Sequence, residues 1–328
     1  MSAAAKNSGA TGARRALVLL VVCALSALYL WLALRDMDGR ALRAAAAQLS
    51  LPLVPVFLLL VAVTLLVRAL RIAVTLVRLQ PVSLREGARC MLGGYLTSLV
   101  LPQPAGEIAR ITIATRDLGV APGAAAAAIA IERVFDLLLA LLLVAAVTPF
   151  ATHTDLRLAG ALRVLTALAA IGSTLLALAA WSPQRCRAVC APLFAVLPER
   201  VGNWCRQQFE DLLSALQSLM SAHRAPRYVL LALAQTALWA ACLGVSLLAA
   251  GIVPTFVAVL LTTAMFTLAM LLPAAPGYIG SMQLAYIVAL VPLGVPLPQA
   301  FAASLYTHVL FNLFVLIAGV LVLRSRAP

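Results

Sequence analysis

Long apolar stretches alternate with short polar connections along nearly the whole chain. Six of these stretches are long enough to cross a hydrocarbon core of about 30 Å as helices. They lie at roughly 16–34, 51–70, 122–148, 158–181, 228–250 and 299–323. Two further apolar segments, about 88–118 and 255–293, are interrupted by prolines. The pattern predicts an all-α, polytopic integral membrane protein in which residues 1–328 form a single transmembrane domain.

Each interrupted segment contains a break that a continuous helix cannot pass. The predicted hinge residues are Pro102, Pro104 and Gly106 in the first segment and Pro273, Pro276 and Gly277 in the second. Proline lacks an N–H and clashes with the preceding turn, so the helix must stop there. Lipid does not satisfy the freed backbone groups, and such breaks survive only inside protein or beside a polar cavity. Each segment forms either two full spans or one re-entrant hairpin.

The same order of features follows both breaks. A Gly-Val pair comes next, at Gly119 and at Gly294, and a proline and a long apolar helix follow it. Arg133 and His308 lie at the same offset from those glycines. We therefore predict two repeats, at about 88–148 and 255–323. Paired broken helices in the two halves of a membrane protein point to a transport site between them.

Composition and charge set the class and the orientation. The chain is 64% hydrophobic and carries 24 Lys and Arg residues against 11 Asp and Glu. No basic run is interleaved with aromatic residues, so nucleic-acid binding is not expected. If the spans alternate, most arginines fall on one side, which the positive-inside rule makes the cytoplasm. We expect a multi-pass protein of the cell inner (plasma) membrane with both termini cytoplasmic, and this topology makes the repeats inverted.

The connection at 182–227 is the longest polar stretch. Within it Val201, Trp204, Leu213 and Leu216 recur at helical spacing, with polar residues on the opposite face. This periodicity predicts an amphipathic helix on the cytoplasmic membrane surface. We interpret it as an interfacial spacer; sensing of lipid headgroups is the alternative.

Three charged residues stand inside the apolar span 122–148. They are Glu132, Arg133 and Asp136, and a charge at the bilayer centre costs about 2.5–3.5 kcal/mol. We interpret Arg133 as facing a polar cavity and binding an anion, held by the two carboxylates. A structural ion pair that closes the bundle is the alternative.

Further candidates come from the hinges and from the neighbouring helices. Glu107 and Arg110 follow the first break, where a new helix N-terminus favours an anion. Arg68 and Arg71, at the inner end of the second span, are expected to extend to the membrane surface instead. In the second half, Tyr278, Gln283, His308 and Asn312 are predicted to line the same cavity. For His308, a hydrogen-bonded core position is an equal alternative.

No pattern of catalytic chemistry is present in the sequence. There is no acidic metal cluster, nucleophile elbow or phosphate loop. The six cysteines have no histidine at metal-ligand spacing. We therefore expect neither an enzyme nor a cofactor or metal site.

Several motifs resemble one known family. They are Leu101-Pro102-Gln103-Pro104-Ala105-Gly106-Glu107, Arg110, Arg116-Asp117-Leu118-Gly119-Val120, Glu132-Arg133-Val134-Phe135-Asp136 and Leu272-Pro273-Ala274-Ala275-Pro276-Gly277-Tyr278-Ile279-Gly280. This set is similar to the flippase-like family built on the transmembrane region of lysylphosphatidylglycerol synthases. The chain differs where that family often has a glutamate, here Gln283, and where it commonly has an arginine, here His308. The synthases' soluble aminoacyl-transferase domain is absent, which argues against synthase activity.

The resemblance implies movement of anionic or sugar-linked lipids between membrane leaflets. The expected partners are a membrane lipid substrate and a separate lipid-modifying enzyme. Two other functions stay open: a membrane subunit or enzyme of lipid-headgroup or envelope-glycan modification, and a non-transporting scaffold of an envelope-synthesis complex.

Overall fold

The computed structural model describes residues 21–76, 81–150, 156–219, 225–272 and 274–324. In these ranges all regular secondary structure is helical, which confirms the predicted all-α class. The α-helices are α1 (Val21–Leu34), α2 (Gly39–Ala47), α3 (Val54–Leu76), α4 (Leu84–Val100), α5 (Ala105–Leu118), α6 (Pro122–Val147), α7 (Leu156–Trp181), α8 (Pro183–Ala195), α9 (Glu199–Leu219), α10 (Ala225–Ala249), α11 (Phe256–Leu271), α12 (Ser281–Leu290) and α13 (Leu297–Arg324).

Long apolar helices make this a membrane protein. Four stretches of the described chain are long and apolar enough to cross a bilayer: Leu51–Leu76, Ala225–Ala249, Pro276–Leu293 and Leu297–Arg324. Helix α6 also has the length, 26 residues, but it carries three charged side chains. The predicted count of six full spans stays a prediction.

Helices α3 and α10 form an antiparallel pair at the centre of the molecule. The amide of Ser50, before α3, donates to the carbonyl of Ala249, at the end of α10, over 2.8 Å. Towards the other end of the pair, the Arg71 guanidinium lies 5.5 Å from the centre of the Tyr228 ring. Helix α4 of the first broken segment packs against α3, and helix α11 of the second packs against α10.

Each broken segment folds into two helices that pack against each other, α4 with α5 and α11 with α12. At 1.5 Å per residue the four arms are about 25, 21, 24 and 15 Å long. All are shorter than a core of about 30 Å. These lengths fit the hairpin interpretation of the first segment better than full spans. In the second segment, α12 belongs to the longer apolar stretch Pro276–Leu293, which is long enough to cross a bilayer, so both interpretations stay open there.

The two hinges meet inside the protein. The amide of Gln103 donates to the carbonyl of Ala274 over 3.1 Å, and the Gln103 side chain donates to the hydroxyl of Tyr278. The amide of Ala275 donates to Ser26 Oγ on α1 over 2.6 Å. Freed backbone groups at the breaks are therefore satisfied by protein, as a break within a membrane requires. Pro273 lies outside the described residues.

The helix predicted from Val201 onwards is α9, and the connection at 182–227 contains a second helix, α8, that was not predicted. Leu213 and Leu216 of α9 are buried as predicted, but Val201 and Trp204 are 46% and 63% exposed. Arg187 of α8 pairs with Glu210 of α9, with 2.9 Å between Nη2 and Oε2. The two helices form one unit with an apolar outer edge.

A glycine allows the first hairpin to close. A Cβ at Gly106 would overlap Ser98 Oγ and would lie 2.7 Å from the Gly94 carbonyl oxygen, whereas a Cβ at Gly123 would meet nothing within 4 Å. We expect Gly106→Ala to destabilise the protein by about 1–3 kcal/mol, because α4 and α5 must separate. The matched change Gly123→Ala should be neutral or slightly stabilising. Thermal unfolding of the two purified variants measures the difference, and equal stability would show that the arms are not in contact here.

Candidate functional site

Three helices bring seven charged side chains together inside the protein. We call them the charged cluster: Arg68 and Arg71 of α3, Glu107 and Arg110 of α5, and Glu132, Arg133 and Asp136 of α6. Side chains four apart share one helix face, so Glu132 and Asp136 both point from α6 towards α3. Arg68 and Arg71, three apart on α3, face them in return.

Glu132 is the centre of the charged cluster. Its Oε1 lies 2.6 Å from Arg68 Nη2 and 3.3 Å from Arg71 Nη2, and its Oε2 pairs with Arg110 Nη2. Only 4% of the Glu132 side chain is exposed. A buried carboxylate surrounded by three guanidinium groups joins α3, α5 and α6.

Asp136 occupies the second carboxylate position. Its Oδ1 lies 2.6 Å from Arg71 Nη2, and its Oδ2 lies 3.9 Å from both Arg68 and Arg133. The prediction that Glu132 and Asp136 together hold Arg133 is therefore wrong for Glu132. Adjacent helical residues point about 100° apart, so Glu132 faces α3 and α5 while Arg133 faces another side of α6.

The prediction that Arg68 and Arg71 extend to the membrane surface is also wrong. Both are buried, at 6% and 1% exposure. The carboxylates of α6 offset the cost of burying them, and the rings of Tyr95 and Tyr228 lie 5.4 and 5.5 Å from their guanidinium carbons. The signal for this arrangement was in the sequence, because an Arg pair three apart on one span matched an acidic pair four apart on another.

Arg68, Arg133 and Asp136 are the members of the charged cluster that line a cleft, and Arg133 is the most exposed of the three. Its Nη2 pairs with Glu107 Oε1, its Nη1 stays 3.9 Å from Asp136, and 24% of its side chain is exposed. The cleft is narrow and open on one side, with a volume of about 40 Å³. The cleft walls include these aromatic residues: Tyr95, Trp239, Phe266, Tyr278 and Phe311.

The charged cluster has one positive charge in excess. It contains four arginines and three carboxylates, so the formal sum is 4 − 3 = +1. The Nε atoms of Arg68, Arg71 and Arg110 are buried with no hydrogen-bond partner among the described residues. Excess positive charge in a low-dielectric site attracts an anion, and Arg133 is the group placed to meet one.

Glu107 connects the first hinge to the charged cluster. It stands in the first turn of α5, and its Oε2 lies 3.0 Å from Arg110 Nη1. The sequence suggested that this helix N-terminus would itself favour an anion; the structure places the carboxylate of Glu107 there, shared between two arginines. Tyr278 of the second hinge lines the same cleft, as predicted.

The other predicted residues of the second half surround the second hinge instead. The Gly280 amide donates to Gln283 Oε1 over 2.8 Å, and Gln283 Nε2 lies 2.7 Å from His308 Nδ1. Because the amide orientation is set by the Gly280 N–H, Nε2 donates and Nδ1 of His308 accepts. Asn312 Nδ2 donates to the Gly277 carbonyl over 3.3 Å. None of these contacts of Gln283, His308 and Asn312 reaches the charged cluster.

The contacts of Gln283 lead to a stability prediction. Gln283→Leu would leave the Gly280 amide and His308 Nδ1 without their partner, and a buried polar group without a partner costs about 1–3 kcal/mol each. We expect a clear loss of thermal stability, measured by unfolding of the purified protein. Gln207→Leu, on the exposed side of α9, should change stability by less than about 0.5 kcal/mol. Equal effects of the two changes would contradict this description of the hinge.

Metal binding has no support within the described ranges, where no group of three or more His, Cys, Asp or Glu side chains could hold an ion.

Comparison with known proteins gives one result. A family model described as the lysylphosphatidylglycerol synthase TM region matches residues 19–319, which is nearly the whole chain, so the chain belongs to this family. No curated protein and no solved structure matches it.

Proposed function

We propose that this member of the lysylphosphatidylglycerol synthase TM-region family is a lipid translocator. It moves an anionic phospholipid or a polyprenyl-phosphate-linked glycan between the leaflets of the inner membrane. One observation carries this proposal: a buried cluster with one excess positive charge opens, through Arg133, into a cleft with aromatic walls. A lipid phosphate is the anion that a membrane supplies at this position.

The depth of the charged cluster suits a transport site. Arg68 lies about 12 Å from the end of α3 at Leu76, and Arg133 lies about 16 Å from the start of α6 at Pro122. Both helix ends are on the side that we propose to be cytoplasmic, together with the two termini. In a core of about 30 Å, these depths put the guanidinium groups near the bilayer midplane, where substrate sites of transporters lie.

Matching contacts in the two halves support an inverted repeat. Glu107 and Arg110, three apart on α5, pair with Arg133 and Glu132 on α6. In the second half, Gln283 and Tyr286, three apart on α12, pair with His308 and Thr307 on α13 over 2.7 and 2.6 Å. The hairpin-to-helix contacts therefore use equivalent positions in both halves, charged in the first and neutral in the second.

The packing of the helices matches this proposal. Helix α4 of the first hairpin packs against α13, and α11 of the second hairpin packs against α6. Each hairpin therefore packs against the last helix of the other repeat. Because each hairpin packs against the opposite repeat, one repeat can tilt against the other about a site between them. This is the motion that alternating access requires.

Translocation can be measured directly with the purified protein. Liposomes that contain fluorescent phosphatidylglycerol in both leaflets are treated with membrane-impermeant dithionite. We expect the protein to expose the inner-leaflet label to the reductant, whereas empty liposomes should lose only the outer-leaflet signal. Turnover of the lipid headgroup without translocation would favour an enzyme of lipid modification. Neither activity, with a co-purifying synthesis enzyme, would favour a scaffold and overturn the proposal.

A further inference from the structure

A second cavity, distinct from the Arg133 cleft, lies on the opposite side of α6. It is an open groove of about 380 Å³ between α6, α7, α8 and α9, and we call it the apolar groove. Among the described residues, its walls contain only aliphatic, aromatic, glycine and cysteine residues, including Ile131, Val134, Gly172, Cys186 and Leu213. At 100° per residue, Ile131 and Val134 point away from Arg133 and Asp136, so one helix separates the two cavities.

The helices that close the groove have the character of a membrane-surface unit. Leu193 of α8, Val196 after it and Trp204 of α9 are 66%, 86% and 63% exposed, and Trp181 at the end of α7 is 85% exposed. Bulky apolar residues with tryptophan at the rim are typical of the membrane interface. Exposed arginines, Arg185, Arg200 and Arg206, accompany them on α8 and α9. The exposed apolar residues suit contact with lipid acyl chains, and the arginines suit contact with lipid phosphate groups.

We propose that the apolar groove binds an acyl chain of a phospholipid from the cytoplasmic leaflet, as a site separate from the one that holds the translocated headgroup. The described part of the groove wall has no charged or amide side chain that would select a soluble ligand. An apolar groove beside the membrane-surface helices α8 and α9 is surrounded by lipid acyl chains. A bound chain supplies the van der Waals contacts that the apolar walls lose when the groove is empty.

An occupied groove would also support the charged cluster. Phe135, which lines the groove, packs edge-on against Tyr228 with 4.9 Å between ring centres. Tyr228 in turn lies against the Arg71 guanidinium, which pairs with Asp136. A chain that fixes Phe135 therefore stabilises the wall against which Arg71 rests. The bound lipid acts as a structural ligand of α6.

The protein's own cysteines provide the test. Four of the cysteines have little exposed surface, but Cys186 and Cys190 line the groove, whereas Cys90 and Cys242 lie in the main core. In lipid nanodiscs, with Cys23 and Cys205 replaced by serine, the probe is N-dodecylmaleimide, which carries a thiol-reactive group on an alkyl chain. We expect it to label Cys186 or Cys190 at least about tenfold faster than Cys90 and Cys242, because reaction follows access. A charged, water-soluble maleimide should label none of the four at that rate.

A substitution that fills the groove provides the matched control. A Cβ at Gly172 would meet only Leu138 Cδ1, at 3.6 Å, so Gly172→Trp projects into the groove without a backbone clash. It should abolish the fast labelling and remove one phospholipid from the protein in native mass spectrometry. Gly172→Leu should act in the same direction if the larger change fails to fold. Leu168 of α7 is 48% exposed, and Leu168→Trp should change neither readout.

Three outcomes would overturn the proposal. They are equal labelling of groove and core cysteines, fast labelling that persists in Gly172→Trp and Gly172→Leu, and loss of the same bound phospholipid in Arg133→Lys. The last would assign the chain to the translocated lipid itself instead of a separate site. Because the Gly172 variants leave the Arg133 cleft intact, these results are independent of whether the protein translocates lipid.

Discussion

Glu132→Gln is expected to cost the protein about 3–5 kcal/mol of stability, which is the effect of removing one partner from a buried ion pair. Glu132 is bound by Arg68, Arg71 and Arg110 together. Without its charge the formal charge of the charged cluster rises from +1 to +2, and the three guanidinium groups repel one another across a low-dielectric interior. We expect a low yield of monodisperse protein and a large fall in its unfolding temperature.

The control for Glu132→Gln is the same chemical change at a surface pair. Glu210 pairs with Arg187 across α8 and α9, with side chains 42% and 44% exposed. Exposed ion pairs contribute about 0–1 kcal/mol, so Glu210→Gln should unfold almost like the wild type. If both variants lost the same small amount, Glu132 would not be the centre of a buried cluster.

Arg133→Lys is expected to leave the fold nearly intact and to lower lipid translocation by more than about tenfold, or about 1.4 kcal/mol in the barrier. A lysine can keep the ion pair with Glu107, which is the one ion pair of Arg133 shorter than 3.9 Å among the described residues. It cannot reproduce the planar, two-pronged contact of a guanidinium with a phosphate. Translocation per folded molecule and thermal stability should be measured side by side.

Two further variants serve as comparisons for Arg133→Lys. Asp136→Asn removes the charge that holds Arg71 at 2.6 Å, so it should lower stability while reducing translocation per folded molecule less. Arg187→Lys, at the exposed pair on α8, should change neither quantity. If the translocation of Arg133→Lys fell only in proportion to its stability, Arg133 would be a structural ion-pair residue and the proposed site would be wrong.

Much of the fold was predictable because membranes leave a sequence few options. Apolar length and proline position indicated the long helices and both breaks, and the hinge glycines lie where a close approach or a positive φ requires them, as at Gly277 with φ 68°. The division of the polar connection between α8 and α9 was not predicted. The predicted periodicity begins at Val201, after Pro198, so it indicated α9 and gave no sign of α8.

The candidate site was predictable only in its charged half. Glu107, Arg110, Glu132, Arg133 and Asp136 stand out because each is costly in lipid without a partner. The partners themselves depend on tertiary packing: Arg68 and Glu132 are 64 residues apart. An arginine near a helix end can equally extend to the surface, and one helix considered alone does not decide between the two.

The second repeat shows that two residues at the same sequence offset need not have the same role. His308 occupies the place of Arg133, and its contact with Gln283 repeats the contact of Arg133 with Glu107. Its neighbours are neutral, however, so the same geometry holds a hinge instead of presenting a charge. The predicted offset was informative about structure, and the chemistry followed from the residues around it.

The most direct test of the central claim compares two lipids that differ only in the charge of the phosphate. Fluorescent phosphatidylglycerol and its methyl phosphotriester are incorporated into matched liposomes with the wild-type protein, and the rate in empty liposomes is subtracted from each. If the excess positive charge at Arg133 recognises the lipid, the anionic phosphodiester should move at least about tenfold faster, and Arg133→Lys should remove most of that preference. Equal protein-dependent rates for the two lipids would contradict a phosphate-recognising translocator.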